Sequence, residues 1–247
     1  MRNVTDTVKH LIVINILFFI ATSLYGDMLY EWFSLWFPKS EHFGVWQFLT
    51  HMFMHGGFMH IFFNMYALYA FGAPLERMWG KHKFLFFYLS AGLGAALLHT
   101  GVNYLYFSRG LEALVSAGLN PDQVVELVSN GQYSPSWYQM VDGNVLDSFL
   151  SAVNTPAVGA SGAIYGVLVA FGMAYPNAEL FLMFVPIPVK AKYFIPVLIG
   201  LDLFSGVTGY SIFGSGIAHF AHVGGALFGF IMAWYWNKNK FNNNRWY

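Results

Sequence analysis

Cysteine does not occur among the 247 residues of this chain, which excludes thiol catalysis and thiolate metal sites. Charged residues are also scarce: they make up 10% of the chain, against about 25% in an average soluble domain. The hydrophobic share is high at 57%, and so few charges cannot cover the surface of a water-soluble fold. Disorder and a small disulfide scaffold are therefore excluded, and lipid is the expected solvent for most helical faces.

A net charge is lacking as well. Twelve Lys and Arg residues balance twelve Asp and Glu residues, so the chain has no overall field that would attract an anionic partner. No nucleic-acid partner is expected, and the information carried by the charges lies in their positions.

Six apolar stretches can be recognised, and most reach the roughly 20 residues that a helix needs to cross a bilayer. They lie at about residues 11–25, 57–74, 84–107, 157–175, 193–212 and 216–236. A polar insert at about 108–151 separates the third stretch from the fourth. Within it, Asn120-Pro121 is typical of the start of a short surface helix, which ends near Gly131. The sequence predicts an all-α polytopic membrane protein, a single domain of six transmembrane helices over residues 1–247.

The basic residues indicate how this bundle is oriented. If the N-terminus is cytoplasmic, ten basic residues lie inside and two, Lys39 and Arg109, lie outside. The ten are Arg2, Lys9, Arg77, Lys81, Lys83, Lys190, Lys192, Lys238, Lys240 and Arg245. The positive-inside rule then predicts that both termini are cytoplasmic and that the polar insert is external. The expected location is the inner membrane of a bacterium.

With this orientation, the second, fourth and sixth helices all begin at the external face. The second carries His60 and, one turn deeper, Asn64; the fourth begins with Ser161; the sixth carries His222. Polar groups inside a membrane are costly and usually face the bundle interior, so these side chains are candidate functional residues.

A hydroxyl and an imidazole from different helices are the groups needed for nucleophilic acyl transfer. A serine is a weak nucleophile until a base accepts its proton, and neutral histidine suits that role. Ser161 also lies in the first turn of its helix, where unpaired backbone N–H groups favour negative charge and could receive an oxyanion. Gly225 and Gly229 give the sixth helix a face of small residues for close packing.

These residues resemble the rhomboid family of intramembrane serine proteases. The matching segments are Thr50-His51-Met52-Phe53-Met54-His55 leading to His60-Ile61-Phe62-Phe63-Asn64, Gly159-Ala160-Ser161-Gly162 with Tyr165, and Ala221-His222-Val223-Gly224-Gly225 continuing to Gly229. The resemblance covers nearly the whole chain, from the first helix to Trp236. It implies a catalytic dyad of Ser161 and His222, an oxyanion site from His60, Asn64 and the Ser161 N–H, and Tyr165 packed on the ring of His222. It also implies cleavage of single-span membrane proteins near the external end of their helix, with no cofactor and no metal.

Two departures from the family pattern accompany these matches. Trp46-Gln47 stands where rhomboids often carry Trp-Arg, and the 108–151 insert exceeds the usual loop between the third and fourth spans. Other classes remain as alternatives: a non-catalytic rhomboid-like protein that binds membrane segments, or a channel or transporter, in which buried His and Asn also occur. A zincin would need a Glu that His219-Phe220-Ala221-His222 lacks.

Further expectations concern one aspartate, four histidines and four glycines. Asp202 is the one acidic residue well inside a span, which argues against an intramembrane aspartyl protease; it is expected to be protonated or hydrogen-bonded, so that Asp202→Asn would be nearly silent. Four other histidines are expected to make structural hydrogen bonds: His51, His55, His99 and His219. Four glycines in the stretch that joins the fifth and sixth spans are expected to form a flexible cap over the dyad: Gly206, Gly209, Gly214 and Gly216. The oligomeric state cannot be inferred from the sequence.

Overall fold

A computed structural model describes residues 4–180, 188–210 and 218–239. Nearly all of its regular structure is helical, which confirms the predicted all-α class. The helices are α1 (Asp6–Tyr25), α2 (Asp27–Phe33), α3 (Gln47–Thr50), α4 (Phe58–Ala67), α5 (Ala73–Trp79), α6 (Lys81–Ser116), α7 (Pro121–Ser129), α8 (Gly143–Asn154), α9 (Ser161–Ala174), α10 (Ala191–Thr208) and α11 (His219–Lys238). Short 3-10 turns lie at His51–Phe53 and Pro135–Gln139, and strands β1 (Glu179–Leu180) and β2 (Val189–Lys190) form a small antiparallel hairpin.

The predicted apolar stretches correspond to α1, α4 with α5, α6, α9, α10 and α11. Of these, α1, α6 and α10 are each long and apolar enough to cross a membrane as single helices. The second stretch is continuous but not uniform, because a π-helical segment at Leu68–Gly72 joins α4 to α5. The third helix continues to Ser116, nine residues past its predicted end, and so forms part of the polar insert.

Glycines and alanines set the directions in which the central helices pack. Gly162 and Gly166 of α9 lie against Gly225 and Gly229 of α11 in the same order, so these two helices run parallel. A Cβ at Gly225 would lie 1.8 Å from the carbonyl oxygen of Gly162, so the backbones are in direct contact. Antiparallel to both runs α6, whose Ala91 and Ala95 face Gly166 and Gly162.

The neighbouring helices follow the same alternation. His60 at the start of α4 lies beside Gly159, and the Phe71 ring packs on Phe171 further along, so α4 and α5 run parallel to α9. The starts of α4, α9 and α11 therefore meet at one end of the bundle, as predicted. At the opposite end, Glu76 accepts hydrogen bonds from the backbone N–H groups of Thr7 and Val8, both at 2.9 Å, and so holds the first turn of α1.

The polar insert folds around a second hydrophobic core. The short helix predicted from Asn120-Pro121 is present as α7, and the Asn120 side chain accepts from the backbone N–H of Asp122 at 2.9 Å. The sequence reasoning missed α8, whose inward face packs against α6. The buried residues of this core include Phe107 and Leu114 of α6, Val124 and Val128 of α7, Trp137, and Leu146, Phe149 and Val153 of α8.

Candidate active site

Ser161 and His222 lie at the centre of the site, where α9 and α11 begin. The Oγ of Ser161 is 2.8 Å from Nε2 of His222, a hydrogen-bond distance between side chains 61 residues apart in sequence. Because Ser161 opens its helix, the N–H groups of the first turn point toward the same region. The structure thus brings together the two residues that the sequence pairs.

Tyr165 lies one turn below Ser161 and stacks on the imidazole of His222. The two ring centroids are 4.2 Å apart and the planes differ by 12°. Offset or parallel contact of this kind holds the imidazole plane and limits its rotation. This is the position that the resemblance implied for Tyr165.

Asp202 of α10 is the third partner of His222, and it was not predicted. Its Oδ1 lies 3.1 Å from Nδ1 of His222 and 2.6 Å from Nδ1 of His219, and its Oδ2 accepts the hydroxyl of Tyr165. The side chain is buried, with 1% of the residue exposed. The sequence expectation that Asp202 is hydrogen-bonded is met, but its partners are the residues of the site.

Gly159 leaves free space next to Ser161 because it has no side chain. Its φ of 117° lies in the region that favours glycine, and its N–H donates to the carbonyl oxygen of His51 at 2.9 Å. A Cβ at this position would lie 2.7 Å from Nε2 of His60 and 3.6 Å from Oγ of Ser161. A point that lies close to both a nucleophile and a ring nitrogen that can carry a proton is where a reacting carbonyl group could be held.

Asn64 is buried and lies one turn after His60 in α4. Its side-chain NH₂ donates to the carbonyl oxygen of His60 at 2.8 Å, which orients the amide and leaves its second N–H for another acceptor. The two residues proposed to supply oxyanion donors are therefore linked to each other within one helix.

The remaining histidines differ in their surroundings. His51 is within 2.8 Å of the Gln47 carbonyl oxygen, and His99 is 3.1 Å from the side-chain nitrogen of Asn103, so both make the structural contacts that were expected. The ring of His55 packs edge-on to that of His60, but neither of its ring nitrogens has a hydrogen-bond partner among the described residues, so the hydrogen bond expected of His55 is not made. His219 does hydrogen-bond in the core, but it does so to the carboxylate shared with His222.

The expected cap is described only in part. Gly206 lies within α10, where a Cβ would meet the Phe220 ring at 3.1 Å, and Gly209 ends the helix in the left-handed conformation. Gly214 and Gly216 lie outside the described residues. Within residues 4–180, 188–210 and 218–239, no group of three or more His, Asp or Glu side chains has an arrangement that could hold a metal ion.

Fold and site together define a multi-pass helical membrane protein with a serine–histidine pair at one end of its bundle. The Rhomboid domain family matches residues 42–121 and 136–239 of this chain. The chain therefore belongs to the rhomboid family. The unmatched segment between these ranges contains most of α7, so this helix is an addition to the family pattern.

Relatives come from several organisms. The Presenilin-associated rhomboid-like protein, mitochondrial, of Bos taurus is 29% identical over 76% of this chain and 36% of its own length. Rhomboid protein 1, mitochondrial, of Saccharomyces cerevisiae is 25% identical over 75% of this chain and 40% of its own length. Rhomboid protease AarA of Providencia stuartii is 28% identical over 76% of this chain and 54% of its own length. The chain thus matches only about a third to a half of each relative. Two of these names are mitochondrial, so the expectation of a bacterial inner membrane gains no support from them.

Proposed function

We propose that this protein is an intramembrane serine endopeptidase, with Ser161 as the nucleophile and His222 as the general base. One observation carries the proposal: the 2.8 Å contact between Oγ of Ser161 and Nε2 of His222 at the first turn of α9. Membership of a family that includes a relative named as a protease supports the same reaction. The six-helix domain over residues 1–247 is the unit to which this activity is assigned.

The reaction follows from the positions of the side chains. Nε2 of His222 takes the proton of the Ser161 hydroxyl as Oγ attacks the carbonyl carbon of a peptide bond. The resulting oxyanion is received by the Ser161 N–H, the ring of His60 and the free N–H of Asn64. His222 then gives its proton to the leaving amine, and water hydrolyses the acyl-enzyme by the same route, which regenerates the free serine.

The depth of the serine restricts which bonds can be cut. A peptide bond within a transmembrane helix is shielded by its own hydrogen bonds, so a serine near one end of the bundle can reach only a segment that unwinds there. We propose that the substrates are single-span proteins that enter laterally from lipid and are cut near the external end of their span, at a small residue with Gly or Pro nearby.

To test this, the Gly and Pro residues of a cleaved reporter span are changed to Leu, and we expect cleavage to fall sharply. Equally fast cleavage at the same bond would contradict selection by local unwinding.

The test of catalysis uses purified protein in liposomes with a single-span reporter. Ser161→Ala and His222→Ala should each abolish cleavage and labelling by a fluorophosphonate, because the two residues act as one unit. Ser151→Ala, at an exposed serine of α8, is the matched control and should behave as wild type. Absence of both cleavage and labelling in the wild-type protein would favour a non-catalytic segment-binding protein; retained activity in Ser161→Ala would refute the nucleophile.

A further inference from the structure

A single carboxyl group collects three hydrogen-bond contacts in the interior of the bundle. Asp202 receives them from the hydroxyl of Tyr165 at Oδ2 and from the Nδ1 atoms of His219 and His222 at Oδ1. All four side chains come from three different helices: α9, α10 and α11. A buried acid placed by chance would not be expected to contact the base of the dyad and also the ring stacked on that base.

The number of partners indicates the form in which Asp202 acts. A protonated carboxyl group would donate one hydrogen bond, whereas a carboxylate only accepts, so the carboxylate can accept from all three neighbours at once. A charge at this depth is costly when it is isolated, and three donors offset that cost. With Asp202 as a carboxylate, the Nδ1 atom of each histidine must carry a proton.

The protonation of Nδ1 decides what the other ring nitrogen can do. A neutral imidazole that carries its proton on Nδ1 has a lone pair on Nε2, and Nε2 of His222 is the atom that faces Ser161 at 2.8 Å. The opposite tautomer would present an N–H to the serine and could not take its proton. The carboxylate would also stabilise the imidazolium that forms when the proton is transferred.

We propose that Asp202 is a positioning residue for His222, so that the site works as a linked serine–histidine–aspartate set rather than as an isolated dyad. The proposal rests on the proposed function and deepens it. Tyr165 and His219 act on the carboxylate: the first holds Oδ2 and the second shares Oδ1, and together they keep Asp202 aimed at Nδ1 of His222. This role reverses the sequence-based expectation that Asp202→Asn would be silent.

Asp202→Asn is the main test, because it keeps the shape of the side chain and removes its charge. Its amide can donate to Nδ1 of His222 and so favour the wrong tautomer. We expect kcat for reporter cleavage to fall by about 10²–10⁴-fold with KM unchanged, and the rate of fluorophosphonate labelling of Ser161 to fall in parallel. Asp202→Glu keeps a carboxylate and should restore part of kcat.

Asp147→Asn is the matched control. Asp147 is an exposed carboxylate of α8 that accepts the hydroxyl of Tyr138 at 2.6 Å, and this hydrogen bond raises the pKa of Tyr138 to about 12. It therefore resembles Asp202 in its tyrosine contact but lies away from the dyad, and Asp147→Asn should cleave and label as wild type does.

The outcomes separate this inference from the proposed function. If wild type cleaves and Asp202→Asn retains kcat within about threefold, the positioning role is refuted while the protease proposal stands. If Asp202→Asn lowers the thermal midpoint, and the protein that remains folded cleaves and labels at the wild-type rate, the role is only structural and the inference is again refuted. If wild type and Asp147→Asn neither cleave nor label, it is the protease proposal that fails.

Discussion

Gln47 is a buried neutral residue that makes several hydrogen bonds to the backbone around it. Rhomboids often carry Arg at this position, and here the neutral amide is fully buried. Its Oε1 accepts the Trp36 N–H at 3.2 Å, and its NH₂ donates to the His42 carbonyl oxygen at 2.8 Å and approaches that of Trp32 at 3.3 Å. One side chain thus joins both ends of the loop between α2 and α3.

Gln47→Ala should therefore destabilise this loop. The substitution leaves buried backbone groups without hydrogen-bond partners, and each unpaired group costs about 1–3 kcal/mol of stability. We therefore expect a lower thermal midpoint in detergent. Glu41→Ala, at an exposed residue of the same loop, serves as the control. A midpoint equal to that of wild type would mean that water or another group replaces the amide.

Gly159 lies where an added side chain should block activity. Gly159→Ala introduces a Cβ at 2.7 Å from the His60 ring, at a φ of 117° that alanine rarely adopts. We expect cleavage to be lost because the space between His60 and Ser161 is filled, and fluorophosphonate labelling of Ser161 measures this. Gly101→Ala, where nothing lies within 4 Å, should have no effect. Normal labelling of Gly159→Ala would show that the carbonyl group is held elsewhere.

At the scale of elements, the distance between Ser161 and His222 depends on the contact of α9 with α11. That contact is made by backbone atoms, because Gly162 and Gly166 face Gly225 and Gly229 with no side chain between them. Two helices that touch in this way can be moved apart by a single methyl group, whereas side chains could have adjusted.

Gly225→Ala tests this dependence. The new Cβ would lie 1.8 Å from the carbonyl oxygen of Gly162, so the helices must separate, and we expect both cleavage and the thermal midpoint to fall. Gly200→Ala in α10 adds the same methyl group where nothing lies within 4 Å, and alanine favours helix there by about 1 kcal/mol. Should Gly225→Ala behave like Gly200→Ala, the backbone contact does not control the site.

Sequence reasoning succeeded where a pattern is local. Hydropathy gave the order of the spanning helices, and Asn120-Pro121 gave the start of α7. It failed for α8 because the insert is polar in composition, and the apolar face formed by Leu146, Phe149 and Val153 is visible only at helical spacing. It also missed the contact of Asp202 with His222, which depends on how α10 is rotated against α11. The one available signal was the pair His219 and His222, which share a face of their helix.

For the molecule as a whole, the two ends of the bundle differ in charge. Glu112, Asp122 and Asp147 belong to the end that carries the site, whereas Lys83 stacks on Trp236 at 4.4 Å at the other end. The orientation inferred from the basic residues would place the site and the insert outside the cell and both termini in the cytoplasm.

Cysteine labelling in intact cells measures this orientation, and the absence of native cysteine gives a clean background. Gln132→Cys in the insert should react with an impermeant maleimide, and Asn239→Cys after α11 should react only once the cells are opened; both positions are exposed. The reverse labelling pattern would mean that the protein has the opposite orientation in the membrane, with the proposed cleavage at the cytoplasmic face.

Residues 122–135 offer a site for attaching a rigid marker for imaging. A protein of 247 residues gives few features outside a detergent micelle by which particles can be aligned. The unmatched segment is anchored by Val124 and Val128, while Gln123 and Glu126 on the same helix point outward. Since α7 packs on α6 and α8 rather than on α9 or α11, an antibody fragment raised against its outer face would report the position of the bundle and leave the path of a substrate open.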